Sequence, residues 1–241
     1  DICLASNNET KDYLEKLNAK NIHFSGNIKL INRIEKKSIS NINENFLLKK
    51  RFWLGASTHE GEDIFCLKVH KKIKKEYEDI VTIIAPRHIN KARKISDLSN
   101  SLGLKTQLLN NDEIISDNKE IIIINSFGVL QNYFKYAKSV FIGKSMLAKL
   151  KSVGGQNPID AAKLGCKIYH GPYVYNFEEI YDIFKKIFIT QKIETIEELG
   201  NNLIKDLKNP KKEETKVSDH IKNLEQKIFE QTMKNINNFI K

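Results

Sequence analysis

The order of strand, loop and helix that recurs along this chain is seen in Arg51-Phe52-Trp53-Leu54-Gly55-Ala56-Ser57-Thr58-His59-Glu60-Gly61-Glu62. This run begins with a continuous apolar segment of strand length and passes through a short loop into a helical pattern. An apolar strand without alternation is typical of a parallel sheet that is covered on both faces. The run therefore predicts the first strand of an α/β domain, with a loop at the carboxyl end of that strand.

The same order of strand and helix continues along the chain. Strands are predicted at residues 51–55, 80–85, 106–109, 120–124, 139–142 and 167–169. Helices are predicted at residues 61–77, 90–102, 130–136, 158–164 and 178–188. Residues 51–192 are therefore expected to form a doubly wound, Rossmann-like parallel sheet. Such sheets bind ligands at the carboxyl ends of their strands, so we expect the site in the loops that follow the strands.

The flanking segments have a different character. A strand at 2–5, a helix at 8–17 and a strand at 22–25 come before a polar stretch, so residues 32–50 are interpreted as a linker. From residue 193 to 241 the chain is charged and helical. One apolar face there predicts an amphipathic helix that packs on the body rather than in a coiled coil: Val217, Ile221, Leu224 and Ile228.

The composition is that of a globular protein. Of the 241 residues 40% are hydrophobic and 29% are charged. No apolar run approaches the roughly 18–20 residues that span a bilayer. The amino terminus has neither a starting Met nor a basic signal-peptide region, so we expect the numbering to begin inside a longer gene product.

The net charge of +10 has three competing explanations. They are a coding bias towards Lys, Asn and Ile, an anionic membrane surface as partner, and a nucleic acid as partner. The chain has only four arginines, the residue most used to read bases: Arg33, Arg51, Arg87 and Arg93. No nucleic-acid partner is therefore expected.

The cysteines indicate a reducing compartment. Cys3, Cys66 and Cys166 are odd in number and far apart, with neither a metal-ligand spacing nor a disulfide framework. The cytosol is therefore the expected compartment, and no metal site is expected.

The loop that follows the first strand has two interpretations. Ser57 and Glu60 have the spacing of a capping box, which would start the next helix. Alternatively the loop binds a ligand through the free N–H groups of the helix start. Glu60, Glu62 and Asp63 crowd this end with negative charge, so sugar hydroxyls suit it better than phosphate.

The loop after the second strand reads Ala85-Pro86-Arg87-His88. Arg87 forms a surface salt bridge in one interpretation. In the other it donates to a phosphate or a base carbonyl, for which the planar guanidinium is suited. His88 fits both interpretations.

A third loop reads Gly154-Gly155-Gln156-Asn157-Pro158-Ile159-Asp160. Asn157 at the N-cap, Pro158 at the first helical position and Asp160 at the third would start a helix. The same residues suit a nucleotide site, where Gly155 lets the backbone approach a ligand and the Asp160 carboxylate binds ribose hydroxyls. Both interpretations stay open at this stage.

Taken together, these loops resemble a known family. Their order and spacing over residues 2–188 are similar to those of the donor domain of 3-deoxy-D-manno-octulosonic acid (Kdo) transferases. The segments that carry the resemblance are 52–62, Ile84-Ala85-Pro86-Arg87-His88, Gly154-Gly155-Gln156-Asn157-Pro158, His170-Gly171-Pro172 and Asn176-Phe177, with Gly26-Asn27-Ile28-Lys29 near the end of the family's first domain.

The resemblance implies a GT-B glycosyltransferase, in which two doubly wound α/β domains face each other across a cleft. It implies transfer of Kdo from CMP-Kdo to the lipid A precursor (lipid IVA) of lipopolysaccharide, at the cytoplasmic face of the inner membrane of a Gram-negative bacterium. It implies neither a cofactor nor a catalytic metal. The substrate-binding residues that it implies are Ser57, Thr58, His59, Glu60, Pro86, Arg87, Gly128, Gly155, Asn157 and Asp160.

Several positions depart from the family pattern. Gln156 stands where the family has His, and Asp160 where it has Glu. A loop that usually carries Asp and Glu around a glycine reads Asn125-Ser126-Phe127-Gly128-Val129 here, and Lys144 follows Gly143 in the next turn.

The resemblance also implies that most of a first domain is missing. Residues 1–31 resemble only its last strand–helix–strand, without the acceptor site, the membrane anchor and the carboxylate base. We therefore expect no catalytic residue in this chain, and no transfer by the chain alone. The alternatives are a non-catalytic CMP-sugar-binding module and a GT-B enzyme that uses a UDP-sugar.

Overall fold

The computed structural model describes residues 1–32, 34, 39–209 and 215–240. The chain divides into two compact units, one of Asp1–Ile34 with Glu214–Lys241 and one of Glu35–Glu213. None of the helices in the described ranges combines the length and the apolar character that a membrane crossing requires.

The smaller unit is built on two short parallel strands. Its elements are β1 (Cys3–Ala5), α1 (Asn8–Lys16), β2 (Ile22–Phe24), a 3₁₀ turn (Ile28–Ile31) and the last helix, α9 (Thr215–Ile240). The 3₁₀ turn packs against α9. Ile221 and Ile228 of α9 are buried and Leu224 is half-buried, whereas the Val217 side chain lies outside the described residues. The predicted apolar face of α9 is therefore present at the three describable positions.

The larger unit is an α/β domain with seven parallel strands. Its strands are β3 (Phe52–Thr58), β4 (Val81–Pro86), β5 (Thr106–Leu109), β6 (Ile121–Ile124), β7 (Ser139–Ile142), β8 (Lys167–His170) and β9 (Thr190–Lys192). Its helices are α2 (Asn41–Lys49), α3 (Glu62–Ile73), α4 (Ala92–Ser101), α5 (Leu130–Phe134), α6 (Ile159–Lys163), α7 (Glu178–Lys186) and α8 (Ile196–Asp206). Three 3₁₀ turns lie at Ile89–Lys91, Ala148–Leu150 and Tyr175–Phe177. The predicted α/β class and parallel sheet are confirmed.

The strand order places a topological switch point beside β3. The order is β5-β6-β4-β3-β7-β8-β9, so the chain adds strands on one side of β3 before it crosses to the other side. Because crossover connections are right-handed, this reversal places helices on both faces of the sheet. The crevice at the carboxyl ends of β3 and β7 is where a doubly wound sheet binds its ligand.

The core explains the apolar runs of the sequence. Trp53, Phe141 and Tyr169 are fully buried in neighbouring strands, and Leu67 of α3 and Leu203 of α8 pack in the same cluster. At the amino-terminal end of the sheet the Asp206 carboxylate accepts hydrogen bonds, which fix α8 to β7 and β8; the donors are Ser139 Oγ, Tyr169 OH and Lys167 Nζ.

One expectation about the flanks needs correction, and one strand of the larger unit was not predicted. The linker prediction is wrong over residues 41–49, which form α2 with Phe46 and Leu47 buried. The Asn43 side chain is buried there and bonds the backbone at Glu113 and Ile115. Residues 33 and 35–38 of the predicted linker lie outside the described residues. The edge strand β9 was not expected at all, because Gln191 and Lys192 are exposed polar residues.

Two buried histidines give the fold a pH dependence. Burial lowers the pKa of both His70 and His170 to about 4. Nδ1 of His70 lies 2.9 Å from Thr82 Oγ1, and Nδ1 of His170 lies 2.7 Å from the carbonyl oxygen of Gly171. The folded chain therefore holds both rings in the neutral form.

We predict that the free energy of unfolding falls as the pH is lowered from about 6.5 towards about 4. Over that window the two imidazoles bind protons in the unfolded chain but stay neutral in the folded chain. This difference lowers the free energy of unfolding by up to about 1.4 kcal/mol per pH unit for each imidazole. Urea denaturation at several pH values measures the slope. His170→Gln should show a shallower slope than His88→Gln, which removes an exposed imidazole; equal slopes would contradict the prediction.

Candidate functional site

Five parallel strands end at one edge of the larger unit's sheet. The loops that follow β6, β4, β3, β7 and β8 comprise residues 125–129, 87–91, 59–61, 143–158 and 171–177. All ten predicted substrate-binding residues lie at this edge, in the loops or at the adjoining ends of strands and helices. The sequence therefore predicted residues that lie at one edge of the sheet, and their role in substrate binding stays a prediction.

A buried carboxylate that was not predicted as a site residue joins two of these loops. Glu62 is fully buried, and its Oε2 accepts hydrogen bonds from His59 N at 2.9 Å and Lys144 N at 2.6 Å. Its Oε1 accepts from Ser145 N at 2.8 Å and Met146 N at 2.9 Å. Such charge-assisted bonds are stronger than neutral ones. The single carboxylate thus holds the loop after β3 against the turn after β7.

The predicted capping box between Ser57 and Glu60 does not form. Helix α3 begins at Glu62, and Gly61 at its N-cap has φ of 103°. Ser57 itself lies in the left-handed region with φ of 54°. The acids that were expected to face sugar hydroxyls bind the backbone instead, since Asp63 Oδ1 also accepts from Gly61 N. Glu60 alone is exposed, paired with Lys94 at 2.9 Å.

Two glycines let these loops touch through their backbones. A Cβ at Gly143 would lie 2.6 Å from the Ser57 carbonyl oxygen and 2.8 Å from Glu62 Oε2. A Cβ at Gly154 would lie 2.3 Å from the carbonyl oxygen of Tyr173. Side chains at these positions would force the loops apart, so glycine is a requirement of the close approach.

A cleft of about 250 Å³ lies between the ends of β3 and β4. Four predicted residues line it: Thr58, His59, Glu60 and Pro86. Lys91, Lys94, Lys149 and His88 complete much of its wall. Burial lowers the pKa of His59, whose ring lies 5.6 Å from that of His88 between centroids. The lining has three lysines against the two acids Glu60 and Asp63, so a surplus of positive charge favours an anionic ligand.

Arg87 is available to such a ligand. Its backbone N donates to Thr58 O at 2.9 Å, which holds the loop after β4 against the end of β3. The side chain is exposed, and its guanidinium has no hydrogen-bond or ion-pair partner in the part of the chain that the structure describes. The surface salt bridge considered from the sequence is therefore not formed there.

In the third loop Asn157 bonds the start of the next helix, and Asp160 presents a carboxylate. The prediction of Asn157 as N-cap is wrong by one residue: α6 begins at Ile159 and its N-cap is Pro158, whose side chain makes no capping bond. Asn157 Oδ1 still accepts from Ile159 N at 3.0 Å, from one position before the cap. Gly155 has φ of 91° and donates to the Lys144 carbonyl oxygen. Asp160 is half-buried, and its Oδ2 accepts from Gln131 Nε2 at 2.8 Å. That bond brings Asp160 to the helix that follows Gly128.

Long-range contacts account for the site residues that sequence reasoning missed. Glu62 meets partners 82 to 84 residues away, and Gln131 meets Asp160 29 residues away. The local pattern around Glu62 showed only an acid near a helix start. Among the described residues no group of three or more His, Cys, Asp or Glu side chains is placed to hold a metal ion. The absence of a metal and of a cofactor stays a prediction.

Solved structures place the fold among GT-B glycosyltransferase domains. The carboxyl-terminal CMP-Kdo-binding domain of WaaA from Acinetobacter baumannii is similar with a TM-score of 0.63 and 18% identity, over 85% of this chain and 97% of that domain. A putative UDP-N-acetylglucosamine 2-epimerase from Listeria monocytogenes is similar with a TM-score of 0.54, over 87% of this chain and 51% of that one. The fold is thus that of a GT-B domain.

Sequence relatives narrow the resemblance further. The 3-deoxy-D-manno-octulosonic acid transferase of Aquifex aeolicus is 26% identical over 186 residues, which are 77% of this chain and 48% of that protein. The transferase of Rickettsia conorii is 30% identical over 61% of this chain and 31% of that protein. No family model matches. The predicted resemblance is confirmed: the chain is homologous to Kdo transferases and similar to their carboxyl-terminal half, and it spans about half the length of these relatives or less.

We predict that Glu62→Gln destabilises the larger unit. However the amide is turned, its NH₂ group faces two of the four N–H donors, and each buried donor left unpaired costs about 1–3 kcal/mol. The free energy of unfolding should therefore fall by at least about 2 kcal/mol. Urea denaturation followed by fluorescence of the buried Trp53 measures it.

Glu60→Gln is the matched control, because it makes the same change two residues earlier in an exposed side chain. It should unfold close to the parent protein. If the two variants unfold at the same urea concentration, the Glu62 carboxylate does not hold the two loops together.

Proposed function

We propose that the chain is the donor-binding part of a glycosyltransferase that moves Kdo from CMP-Kdo to an acceptor. One observation carries the proposal: an anion-suited cleft and an unpaired arginine lie at the carboxyl edge of a GT-B sheet, next to its switch point. The transferase names of its sequence relatives supply the sugar, and the CMP-Kdo-binding domain of WaaA, which is similar in fold, supplies the nucleotide.

The site chemistry fits CMP-Kdo, which carries a phosphate and a sugar carboxylate. Arg87 is proposed to bind the phosphate, and Lys91 and Lys149 line a cleft that can take a second anionic group. Asp160 is proposed to bind the ribose, since only one of its oxygens accepts from Gln131. When CMP leaves, charge develops on its phosphate, and a fixed cation beside it stabilises that charge.

The acceptor and the setting belong to the same proposal. The proposed acceptor is the lipid A precursor, lipid IVA, in lipopolysaccharide core biosynthesis, at the cytoplasmic face of a Gram-negative inner membrane. A carboxylate outside the residues of this chain would remove the proton of the attacking hydroxyl. The net charge of +10 is compatible with an anionic lipid surface as partner.

A second candidate is a GT-B protein that binds a uridine nucleotide. It is favoured by similarity in fold to the Listeria epimerase and to MnaA of S. aureus in a structure with UDP, at TM-scores of 0.54 and 0.51. At sequence identities of 18% and 16%, these two similarities concern the fold alone. The choice of nucleotide therefore separates the two candidates.

We predict that CMP raises the melting temperature of the chain and that UMP and UDP do so less. A ligand that binds only the folded form stabilises it by about 2.7 kcal/mol at a concentration of 100 times its Kd. Thermal shift with the three nucleotides at equal concentrations measures the preference. A larger shift with UMP or UDP would favour the second candidate.

We predict that Arg87→Ala weakens CMP binding at least about tenfold, because a hydrogen bond to a charged group is worth about 1.5–3 kcal/mol. Isothermal titration calorimetry on the folded variant measures it. Arg93→Ala, which removes an exposed arginine from α4, should bind CMP like the parent. Equal affinity of Arg87→Ala and the parent would show that Arg87 does not contact the nucleotide.

A further inference from the structure

The loop between β6 and α5 is anchored at both ends. At its start Asn125 N donates to the Leu109 carbonyl oxygen at 2.8 Å, and Asn125 Nδ2 donates to Asn110 Oδ1 at 2.7 Å. After its end Gln131 is bonded to Asp160 at 2.8 Å. The residues between these anchors are therefore presented at the carboxyl edge in a defined position.

An aromatic ring stands exposed on this anchored loop. Phe127 is 77% exposed, and it precedes Gly128, whose φ of 73° turns the chain in open space. Single exposed apolar side chains are common and need no explanation by themselves. Phe127 differs because it lies at the ligand edge, in the loop that leads to the partner of the Asp160 carboxylate.

We infer that this loop forms the nucleoside platform of the site, with the Phe127 ring stacking on the base and Gln131 positioning the Asp160 carboxylate for the ribose. The inference rests on the proposed function, since it assumes that a nucleotide binds at this edge. Asp160 Oδ2 is occupied by Gln131, which leaves Oδ1 for a ribose hydroxyl. The loop after β6 lies beside the loop after β4, because these strands pair, so Arg87 borders the same platform.

The two side chains have different physical tasks. Stacking depends on the flat face that every base shares, so Phe127 adds affinity for a base without choosing between cytosine and uracil. Gln131 acts only through Asp160, and it is a positioning residue that affects the ribose contact. Variants of Phe127 and of Gln131 should therefore change the binding of different probe ligands.

The test compares CMP, ribose 5-phosphate and 2′,3′-dideoxycytidine monophosphate by calorimetry and by competition. Phe127→Ala should weaken CMP at least about fivefold, the low end of what base–aromatic stacking contributes. It should leave ribose 5-phosphate unchanged and keep the preference for CMP over the dideoxy analogue. The matched control is Phe188→Ala, which should leave the affinity for all three probes unchanged. Phe188 is 90% exposed, but it precedes β9 and lies at the amino-terminal ends of the strands.

Gln131→Ala should instead reduce the preference for CMP over the dideoxy analogue, towards the preference that Asp160→Asn shows. The melting temperature of Gln131→Ala should stay near that of the parent. A loosened fold would weaken all three probes alike and leave that preference intact. The platform is overturned if Phe127→Ala binds CMP as tightly as the parent, or weakens ribose 5-phosphate equally. The positioning role is overturned if Gln131→Ala keeps the full preference for CMP. If the parent itself binds no CMP, the proposed function fails and not only the platform.

Discussion

The carboxylate of Glu62 is the contact on which the candidate site depends. It accepts four backbone N–H bonds from two loops that follow different strands, and it does so while fully buried. A buried charge is tolerated only when it is well bonded, and here the backbone itself supplies the donors. The geometry of the crevice is thereby tied to one side chain.

This contact has a consequence for ligand chemistry. A turn with several N–H groups aimed at one point binds anions, and in many nucleotide-binding folds such a turn holds a phosphate. In this chain Glu62 fills that position, so the N–H groups of Lys144, Ser145 and Met146 already have an anionic partner. Recognition of a ligand phosphate then falls to other groups. Arg87 and the lysines of the neighbouring cleft are the groups that we propose for that role.

The sequence predicted the sheet, and the edge at which the candidate site residues lie, for a clear physical reason. Buried parallel strands such as β3 and β6 are continuous apolar runs, and the loops after them are polar or contain glycine. Helix α2 was missed because the stretch before Phe46 is largely polar and rich in Asn, and the burial of Phe46 and Leu47 shows only in the fold. Glu62 was interpreted as surplus negative charge, since its partners are distant in sequence. Composition and spacing report local structure, whereas the contacts that complete this site are long-range.

A crystal structure of the chain with CMP tests the central claim most directly. The account predicts CMP at the carboxyl edge of the sheet, with its phosphate within hydrogen-bonding distance of the Arg87 guanidinium. It also predicts that the Glu62 carboxylate keeps its bonds to the turn after β7 in the complex. A phosphate bound by the N–H groups of Lys144 to Met146, with Glu62 displaced, or a nucleotide bound away from this edge, would contradict the account.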